Sequence, residues 1–513
     1  MSALVATSLR GEERQKAKSK RQKAKVSEQF GSKRARSSLL PFAFCFLPLA
    51  FLLTSCAVGP DFVRPETPTP PEFREQMGPT EAASFADQPW WDVFNDETLR
   101  GLIDETLKNN YDLRTAVARV AQAQHTVGVT PSPLFPQVGY EGGAARGRVF
   151  IGPEFPNVTG NQFLGAFTLA WEIDVWGRIR RATEQSEAQL FATDDVRRGV
   201  VLSLVSGVAG AYFTLQELDA ELEIATRTVA SFEDTVQLFT RRFVGGVDSK
   251  LSVERAKAAL AQAAAAVPNL QRRIVIQENA ICVLLGREPG PVPRQPLLTM
   301  NALPPQTPPG LPSQLLERRP DILQAEQTMA AANAAVGVAT ANFFPRIGLT
   351  ALYGGQSSDI EKVFQGPGNI WQIAGSMMGP LFQGGALIEN LRASNAAYDA
   401  EVQAYQQSVL TALGEVSNAL INQRKLEQVR AEQAKQVDAL KESVRLATLR
   451  YVGGLSTYFE VLEAQQQLFP AELTLAQIDR DRLLAVVDLY QSLGGGWEAN
   501  DQPVDVGFWP PGP

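Results

Sequence analysis

Side chains that could carry out bond chemistry are scarce in this sequence. His125 is the only histidine among 513 residues, and the three cysteines, Cys45, Cys56 and Cys282, form neither a CxxC motif nor a disulfide framework. A histidine metal site, a Ser-His-Asp triad or a Cys-His dyad would depend on His125 alone. We interpret His125 as a partly buried helix residue and Cys282 as a core filler. These residues predict a protein that is no enzyme and needs no cofactor.

Cys56 is the residue with the most specific chemistry. A basic stretch precedes the uncharged core Leu39–Leu53, which is too short to cross a membrane but has the length of a signal peptide's apolar region. The run ends in Leu53-Thr54-Ser55-Cys56, which resembles the bacterial lipobox. That resemblance implies lipidation of the Cys56 thiol and cleavage before it. Residues 1–55 are then a basic extension and a lipoprotein signal peptide.

Charge is distributed unevenly along the chain. The formal net charge is −7, yet residues 1–55 hold eleven Lys or Arg against three Glu. The mature chain is therefore clearly acidic. Nucleic-acid binding requires a basic footprint, so this composition argues against a nucleic-acid partner.

An internal repeat organises the elements that carry these residues. Phe135-Pro136-Gln137-Val138-Gly139 recurs 209 residues later as Phe344-Pro345-Arg346-Ile347-Gly348, and from Phe163 onward the offset is 208. We predict an extended segment over 56–96, a first repeat over 97–288, a second over 313–497 and a C-terminal tail over 498–513. The connector, 289–312, contains nine prolines and cannot be regular helix.

Each repeat is predicted to contain a helix, two strands, a long helix and a further helix. The first helices cover about 97–130 and 313–342, and the long ones about 178–240 and 386–447. Apolar residues in the long helices alternate spacings of three and four, which is a heptad seam. A helix of this length at ~1.5 Å per residue is roughly 95 Å long. It is too long for a compact domain, and we read it as a soluble coiled-coil-like element.

The predicted strands alternate bulky apolar residues with small or polar ones. Phe167, Leu169 and Trp171 alternate with Thr168 and Ala170. This pattern suits a transmembrane barrel strand with its polar face toward a lumen, and it also suits a soluble, half-buried strand. In lipid an open sheet edge is unsatisfied, so four strands per chain must close with other chains. Three chains would give twelve strands, which is enough to leave a passage.

Several motifs together resemble the outer-membrane efflux protein family, the TolC-like channels, and within it the lipoprotein branch (OprM-like, NodT-like) that serves resistance-nodulation-division (RND) pumps. They are Cys56-Ala57-Val58-Gly59-Pro60, Asn109-Asn110-Tyr111-Asp112-Leu113, Arg318-Arg319-Pro320-Asp321 and Asn342-Phe343-Phe344-Pro345. The resemblance implies a mixed α and β membrane protein. It would be a homotrimer with a twelve-stranded outer-membrane β-barrel above a long periplasmic α-helical barrel. The implied partners are a periplasmic adaptor, an inner-membrane RND pump and outer-membrane lipid.

The same resemblance assigns roles to two helix turns and one acidic pair. The turns match the family's periplasmic tips, where the adaptor contacts the channel. They comprise Arg242, Phe243, Val244, Gly245 and Gly246 in the first repeat, and Arg450, Tyr451, Val452, Gly453, Gly454 and Leu455 in the second. Glu460 and Glu463, three residues apart on one helix face, match the acidic pair at the periplasmic aperture. A ring of such carboxylates favours cations.

The function that follows is a passive exit duct for drugs or other small molecules. Two alternatives stay open at this stage. One is the outer-membrane duct of a type I protein-secretion system on the same fold, and the other is a structural periplasmic lipoprotein that conducts nothing.

Overall fold

The computed structural model describes residues 57–74, 76, 96–149, 158–295 and 310–495. The described part is mostly helical, with one four-stranded sheet. In chain order its elements are α1 (Glu97–Asn109), α2 (Tyr111–Val129), β1 (Gln137–Val149), β2 (Val158–Ile173), α3 (Arg178–Val244), α4 (Lys250–Leu285), α5 (Leu315–Arg318), α6 (Pro320–Ala341), β3 (Arg346–Ser357), β4 (Asn369–Met378), α7 (Ala386–Val452) and α8 (Tyr458–Ser492).

Two helical hairpins dominate the molecule. The long helices α3 and α7 each contain 67 residues and start 208 positions apart. At ~1.5 Å per residue each is about 100 Å long. Both run four or five residues beyond their predicted ends, because the apolar seam stops one turn before the glycine that ends the helix. Helices α4 and α8 then fold back along them.

The heptad seam of α3 is buried as the spacing predicts. Val208, Leu215 and Phe239 are fully buried, and so are Tyr405 and Val416 on α7. The larger hydrophobic cluster fills the part of the hairpins nearer the sheet, and a second cluster fills the end farthest from the sheet. One 18-residue stretch of α3 is apolar enough to cross a membrane by length and composition, but half of it is buried within the chain. A core position explains its apolar character.

The predictions of single helices over 97–130 and 313–342 were wrong, because each of these segments is broken. Asn110 ends α1 and begins α2, since its side-chain oxygen accepts the backbone N–H groups of Asp112 and Leu113. Its amide also donates to the carbonyl of Leu284, which locks the break against α4. In the second half, Pro320 occupies the first turn of α6 and separates it from α5.

The sheet is antiparallel, with its strands in the order β1-β2-β3-β4. The long helices leave it from one end only, because Gly177 and Gly385, both with positive φ, turn the chain from β2 into α3 and from β4 into α7. The connection between β3 and β4 lies at the opposite end. Within the described residues, β1 and β4 each have one edge without a partner strand.

Candidate functional site

One face of the sheet is apolar and carries a row of four aromatic rings. The rings lie directly opposite one another in the strand register and belong to Tyr140, Phe167, Tyr353 and Trp371. All four are largely exposed in the isolated chain. The adjacent row consists of Val138, Leu169, Ala351 and Ile373. Exposed aromatic and aliphatic rows of this kind are costly in water and typical of a lipid-facing barrel wall.

Most side chains on the opposite face are small or polar, although Leu352 also lies there. Opposed residues there include Gly139, Thr168, Leu352 and Gln372 in one row, and Gln137, Ala170, Thr350 and Ala374 in the next. The predicted alternation is therefore confirmed for β2, β3 and β4. In β1, whose pattern is weak in sequence, the register places Tyr140 and Val138 on the same apolar face. The faces of β1 are therefore assigned from its pairing with β2, because the alternation of residues in its sequence is too weak to assign them.

The segment that follows Cys56 packs where the sheet meets the helices. The N–H of Val58 donates to the carbonyl of Trp176 at 3.1 Å. A Cβ on Gly177 would lie 2.5 Å from the Cβ of Ala57, so a larger residue there would displace this segment. The Trp176 ring stacks on Phe344 with ring centroids 4.6 Å apart. Cys56 itself lies outside the described residues, but its neighbour Ala57 is held at this junction.

Arg181 fixes the same segment through a clamp that the sequence did not suggest. Its guanidinium donates to the carbonyl of Val58 at 3.2 Å and pairs with Asp61 at 2.8 Å. The side chain lies over Gly337, and a Cβ on Gly59 would be only 2.5 Å from the Gly337 Cα. Glycine is therefore required at both crossing points. The close packing at these two points explains why both Gly59 and Gly337 are glycines.

The predicted tips are two nearly identical helix ends. Gly246 and Gly454 have φ of 74° and 71°. In each turn the residue after this glycine donates to a carbonyl five positions back, Val247 to Arg242 at 2.9 Å and Leu455 to Arg450 at 2.8 Å. These bonds define a Schellman motif. The turn proper begins at Gly245 and Gly453, so the predicted tip residues before them belong to the last helical turn.

Among the predicted docking residues, Tyr451 faces inward. Its side chain is buried, with only 7% of the residue exposed, and it packs on Phe239 and Tyr458 at centroid distances of 5.8 Å and 5.6 Å. Burial raises the pKa of Tyr458 to about 12. Arg242 lies over the Tyr451 ring at 4.9 Å and faces Asp248 at 3.8 Å. Tyr451 thus braces the two hairpins against each other from inside.

Other tip side chains point outward and are apolar. Phe243 and Val244 in the first hairpin, and Val452 and Leu455 in the second, are exposed, with Leu455 at 76%. Arg450 is also largely exposed. The two turns lie on one compact end because the helices that carry them share the second core cluster. Exposed apolar groups around rigid turns form a surface suited to a protein partner.

The acidic pair lies in the first two turns of α8. Glu460 and Glu463 are both exposed and share one face of the helix. The Glu460 carboxylate faces the Arg450 guanidinium across the turn at 3.7 Å. Arg255, which occupies the first-repeat position equivalent to Glu463, lies 5.8 Å from the Phe459 ring. One end of α8 thus carries two exposed carboxylates close to the tips.

A second acidic pair, which sequence reasoning missed, is buried in the middle of α3. Glu217 and Glu221 are almost inaccessible to solvent. Arg480 reaches Glu217 at 3.2 Å, while Arg273 and Gln477 hold Glu221 at 2.9 Å and 2.6 Å. Desolvation, followed by the hydrogen bond and charge of Glu221, raises the pKa of Glu217 to about 7. In the sequence, two glutamates four residues apart on a long helix look like an exposed charged pair, so the pattern did not predict that they are buried.

The two residues considered first for chemistry have unremarkable surroundings. Cys282 is fully buried, and its thiol donates to the carbonyl of Gly290 at 3.3 Å, so the core role is confirmed. His125 lies on α2 as predicted, but it is exposed in the chain rather than partly buried. Its neighbour Val127 occupies the buried face instead.

The family model for outer membrane efflux proteins matches this chain twice, over residues 102–287 and 311–495. The two matches cover both halves of the sheet and both helical hairpins. The chain belongs to the outer membrane efflux protein family, whose members are transport channels rather than enzymes.

Individual relatives agree with this class. The chain is 34% identical over 466 residues to the probable efflux pump outer membrane protein TtgC of Pseudomonas putida, which covers 88% of this chain and 96% of that protein. It is 31% identical over 463 residues to the cation efflux system protein CusC of Escherichia coli, covering 90% and 99%. The protein is therefore an outer-membrane efflux component, as predicted.

Solved structures match the same fold. The outer-membrane channel OprN superposes with a TM-score of 0.80 at 32% identity, over 86% of this chain and all of that one. The open state of the Neisseria gonorrhoeae MtrE outer membrane channel gives 0.78 at 28% identity, over 87% and 100%.

Proposed function

We propose that this protein is a homotrimeric, lipid-anchored exit duct through which a tripartite RND-type efflux pump expels drugs or other small molecules across the outer membrane. The observation that carries the proposal is the sheet. Its apolar face is solvent-exposed in the single chain, and its edges at β1 and β4 are unpaired among the described strands. Lipid permits such a sheet only when it closes. Three copies give a twelve-stranded barrel with the polar face lining the lumen.

The lipid anchor complements this barrel. Ala57 lies against Gly177, and Val58 bonds to Trp176, at the level where strands become helices. A diacylglycerol on Cys56 would therefore start at the periplasmic rim of the barrel wall, close to the Trp176–Phe344 stack. Aromatic side chains are common at this interface of membrane barrels. The short distance to the wall supports Cys56 as the lipidation site.

The opposite end of the molecule makes the contacts with the pump. The exposed apolar groups at the tips offer the adaptor two equivalent docking sites per chain, with Gly245, Gly246, Gly453 and Gly454 permitting close backbone approach. Glu460 and Glu463 ring the periplasmic aperture in three copies and favour cations there. The Arg450–Glu460 contact links the docking surface to the aperture. Partner binding can act on the gate through it.

Efflux is favoured over the two alternatives. Relatives that align along almost their whole length are named as efflux pump or cation efflux proteins, which supports small-molecule export rather than protein secretion. The exposed aromatic row argues against a structural lipoprotein that stays in the periplasm, because the apolar surface of four rings would then be exposed to water.

Two adjacent residues on opposite faces of β4 provide the test of the proposed function. Ile373→Arg places a cation on the apolar face, where a lipid-facing position costs roughly 2–4 kcal/mol. Gln372→Arg places the same cation on the polar face. We expect Ile373→Arg to reduce the amount of protein in the outer membrane and to raise dye accumulation in cells, while Gln372→Arg inserts normally. Equal insertion of both variants would refute the assignment of the faces.

A further inference from the structure

The loop between β3 and β4, residues 358–368, folds down over the apolar face of the sheet. A Cβ on Gly355 would collide with the carbonyl oxygen of Val363, and a Cβ on Gly165 would lie 2.7 Å from Cζ of Phe364. Gly165 and Gly355 are adjacent in the register and share the face of the aromatic row. Because these two glycines have no side chains, they leave a notch in the face of the sheet, and the loop packs into this notch.

Several polar groups of the loop form hydrogen bonds within it. Successive backbone N–H groups donate within it, Gln365 to Lys362 at 3.1 Å and Gly368 to Gln365 at 2.8 Å. The Lys362 ammonium is paired with Asp359 at 2.7 Å. Self-contained hydrogen bonding is the condition for placing irregular backbone beside lipid, since hydrocarbon offers no partners.

Its apolar side chains divide between the sheet and the surroundings. Val363 is buried against Gly355, whereas Ile360 and Phe364 project outward, with Phe364 82% exposed. Beneath Phe364 a cavity of about 430 Å³ opens, lined by the rings of Tyr140, Phe167 and Tyr353. This cavity continues the apolar face of the sheet, although Glu141, Gln365 and Asn369 also line it. Lys362, the cation of the loop, is paired with Asp359.

We propose that loop 358–368 is a lipid clamp at the outer rim of the barrel. Phe364 and Ile360 insert at the interface of the outer leaflet, and the cavity under Phe364 holds one lipid acyl chain against the aromatic row. The inference rests on the proposed function, because it requires the apolar face to lie in lipid. It adds a bound lipid to each chain, recognised by its hydrocarbon rather than its headgroup.

Spin-label accessibility tests the insertion. In a Cys282→Ala background, single cysteines replace Phe364, Ile373 or Gln372, and the labelled mature protein is placed in dioleoylphosphatidylcholine vesicles. We expect labels at 364 and 373 to collide with oxygen at least several-fold more than with a water-soluble nickel chelate. The label at 372, on the opposite face, should prefer nickel.

The three sites separate the possible failures. A nickel-preferring label at 364 with an oxygen-preferring label at 373 would overturn the clamp and leave the lipid-facing wall intact. A nickel preference at both would overturn the wall as well. A label at 364 that neither reagent reaches would mean that protein covers the loop, which also contradicts the proposal.

Bound lipid can be counted directly. Detergent-purified protein incubated with dioleoylphosphatidylcholine is analysed by native mass spectrometry. We expect one retained lipid per chain, and Phe364→Ser should lose most of it because the roof of the cavity is gone. Glu361→Ser in the same loop removes no cavity wall and should retain the lipid. Equal retention by all three proteins, or none in the unsubstituted one, would refute the cavity site.

Discussion

The effect of a charged residue in this protein depends on its burial and on whether the same residue of other subunits lies nearby. The exposed pair Glu460 and Glu463 has few neighbours within the chain, so any strong electrostatic effect depends on copies from other subunits. The buried pair Glu217 and Glu221 is already surrounded by its own chain, between α3, α4 and α8. These two pairs lead to different predictions.

Neutralising the exposed pair should change ion selectivity. Glu460→Gln with Glu463→Gln removes the proposed carboxylate ring while keeping side-chain size. We expect the preference for cations to fall several-fold in reversal-potential measurements on single channels. Glu432→Gln with Glu442→Gln, on an exposed stretch of α7, is the matched control and should retain the preference. An unchanged reversal potential in the first variant would remove the pair from the aperture.

Glu217 should make stability depend on pH. Its pKa is raised to about 7 in the folded chain, so the folded state binds this proton more tightly than the unfolded state does. Stability is therefore greatest below the unfolded pKa, near pH 4.5, and is lost as pH rises through 7. Glu217→Gln should stabilise the protein by about 1–3 kcal/mol at pH 8 and little at pH 4. Thermal melts at both values check this.

The control for Glu217 is a carboxyl on the same helix. Glu223 is exposed, and Glu223→Gln should leave the pH profile of melting unchanged. Should both variants show the same pH profile as the unsubstituted protein, the buried pair would have no role in the pH dependence.

At the scale of elements, the glycine turns decide where each hairpin ends. Gly246 and Gly454 adopt left-handed backbone that other residues reach only with strain, and each is followed by the same pair of capping hydrogen bonds. Both turns are supported from within by the ring cluster of Phe239, Tyr451 and Tyr458. The tips are therefore rigid, and changes at their surface should affect docking more than folding.

Gly453→Asp tests tip docking. Gly453 has right-handed φ and lies at the end of α7, so an aspartate can be accommodated there without left-handed strain. It places a charge within the exposed apolar surface. We expect cross-linking to the adaptor to fall at least several-fold while the oligomer stays intact. The equivalent Gly245→Asp should behave alike if both turns dock, and normal cross-linking in both variants would contradict docking at the tips.

Most elements follow from the sequence, and the exceptions have local causes. The heptad seam predicts α3 and α7, and strict alternation predicts the faces of β2 to β4. The breaks at Asn110 and Pro320 were missed because the apolar pattern continues across both. The first break is caused by the side-chain cap of Asn110, and the second by the missing N–H of Pro320. The notch at Gly165 and Gly355 depends on a loop 358–368 that meets the sheet only in three dimensions.

At the scale of the whole molecule, a lipid anchor and a barrel wall should insert together. Cys56→Ser removes the thiol that would receive diacylglycerol. We expect labelling by radioactive palmitate to disappear completely, with a partial loss of protein from the outer-membrane fraction, because the barrel still inserts. Cys282→Ser leaves the anchor in place and should label normally. Labelling that persists in Cys56→Ser would exclude this residue as the anchor.

In the proposed trimer, closure between chains converts four strands and two helical hairpins per chain into a passage. A single chain exposes both an aromatic face and unpaired strand edges. In the proposed trimer the strand edges pair between chains, and lipid covers the aromatic face. In this proposal, the helices of about 100 Å extend the lumen into the periplasm.

The most direct test is the current carried by the purified mature protein in a planar lipid bilayer. We predict discrete, ohmic channels in protein fractions whose mass corresponds to three chains. Trimeric protein that inserts into the bilayer and passes no current, or a chain that remains monomeric without detergent, would contradict this account.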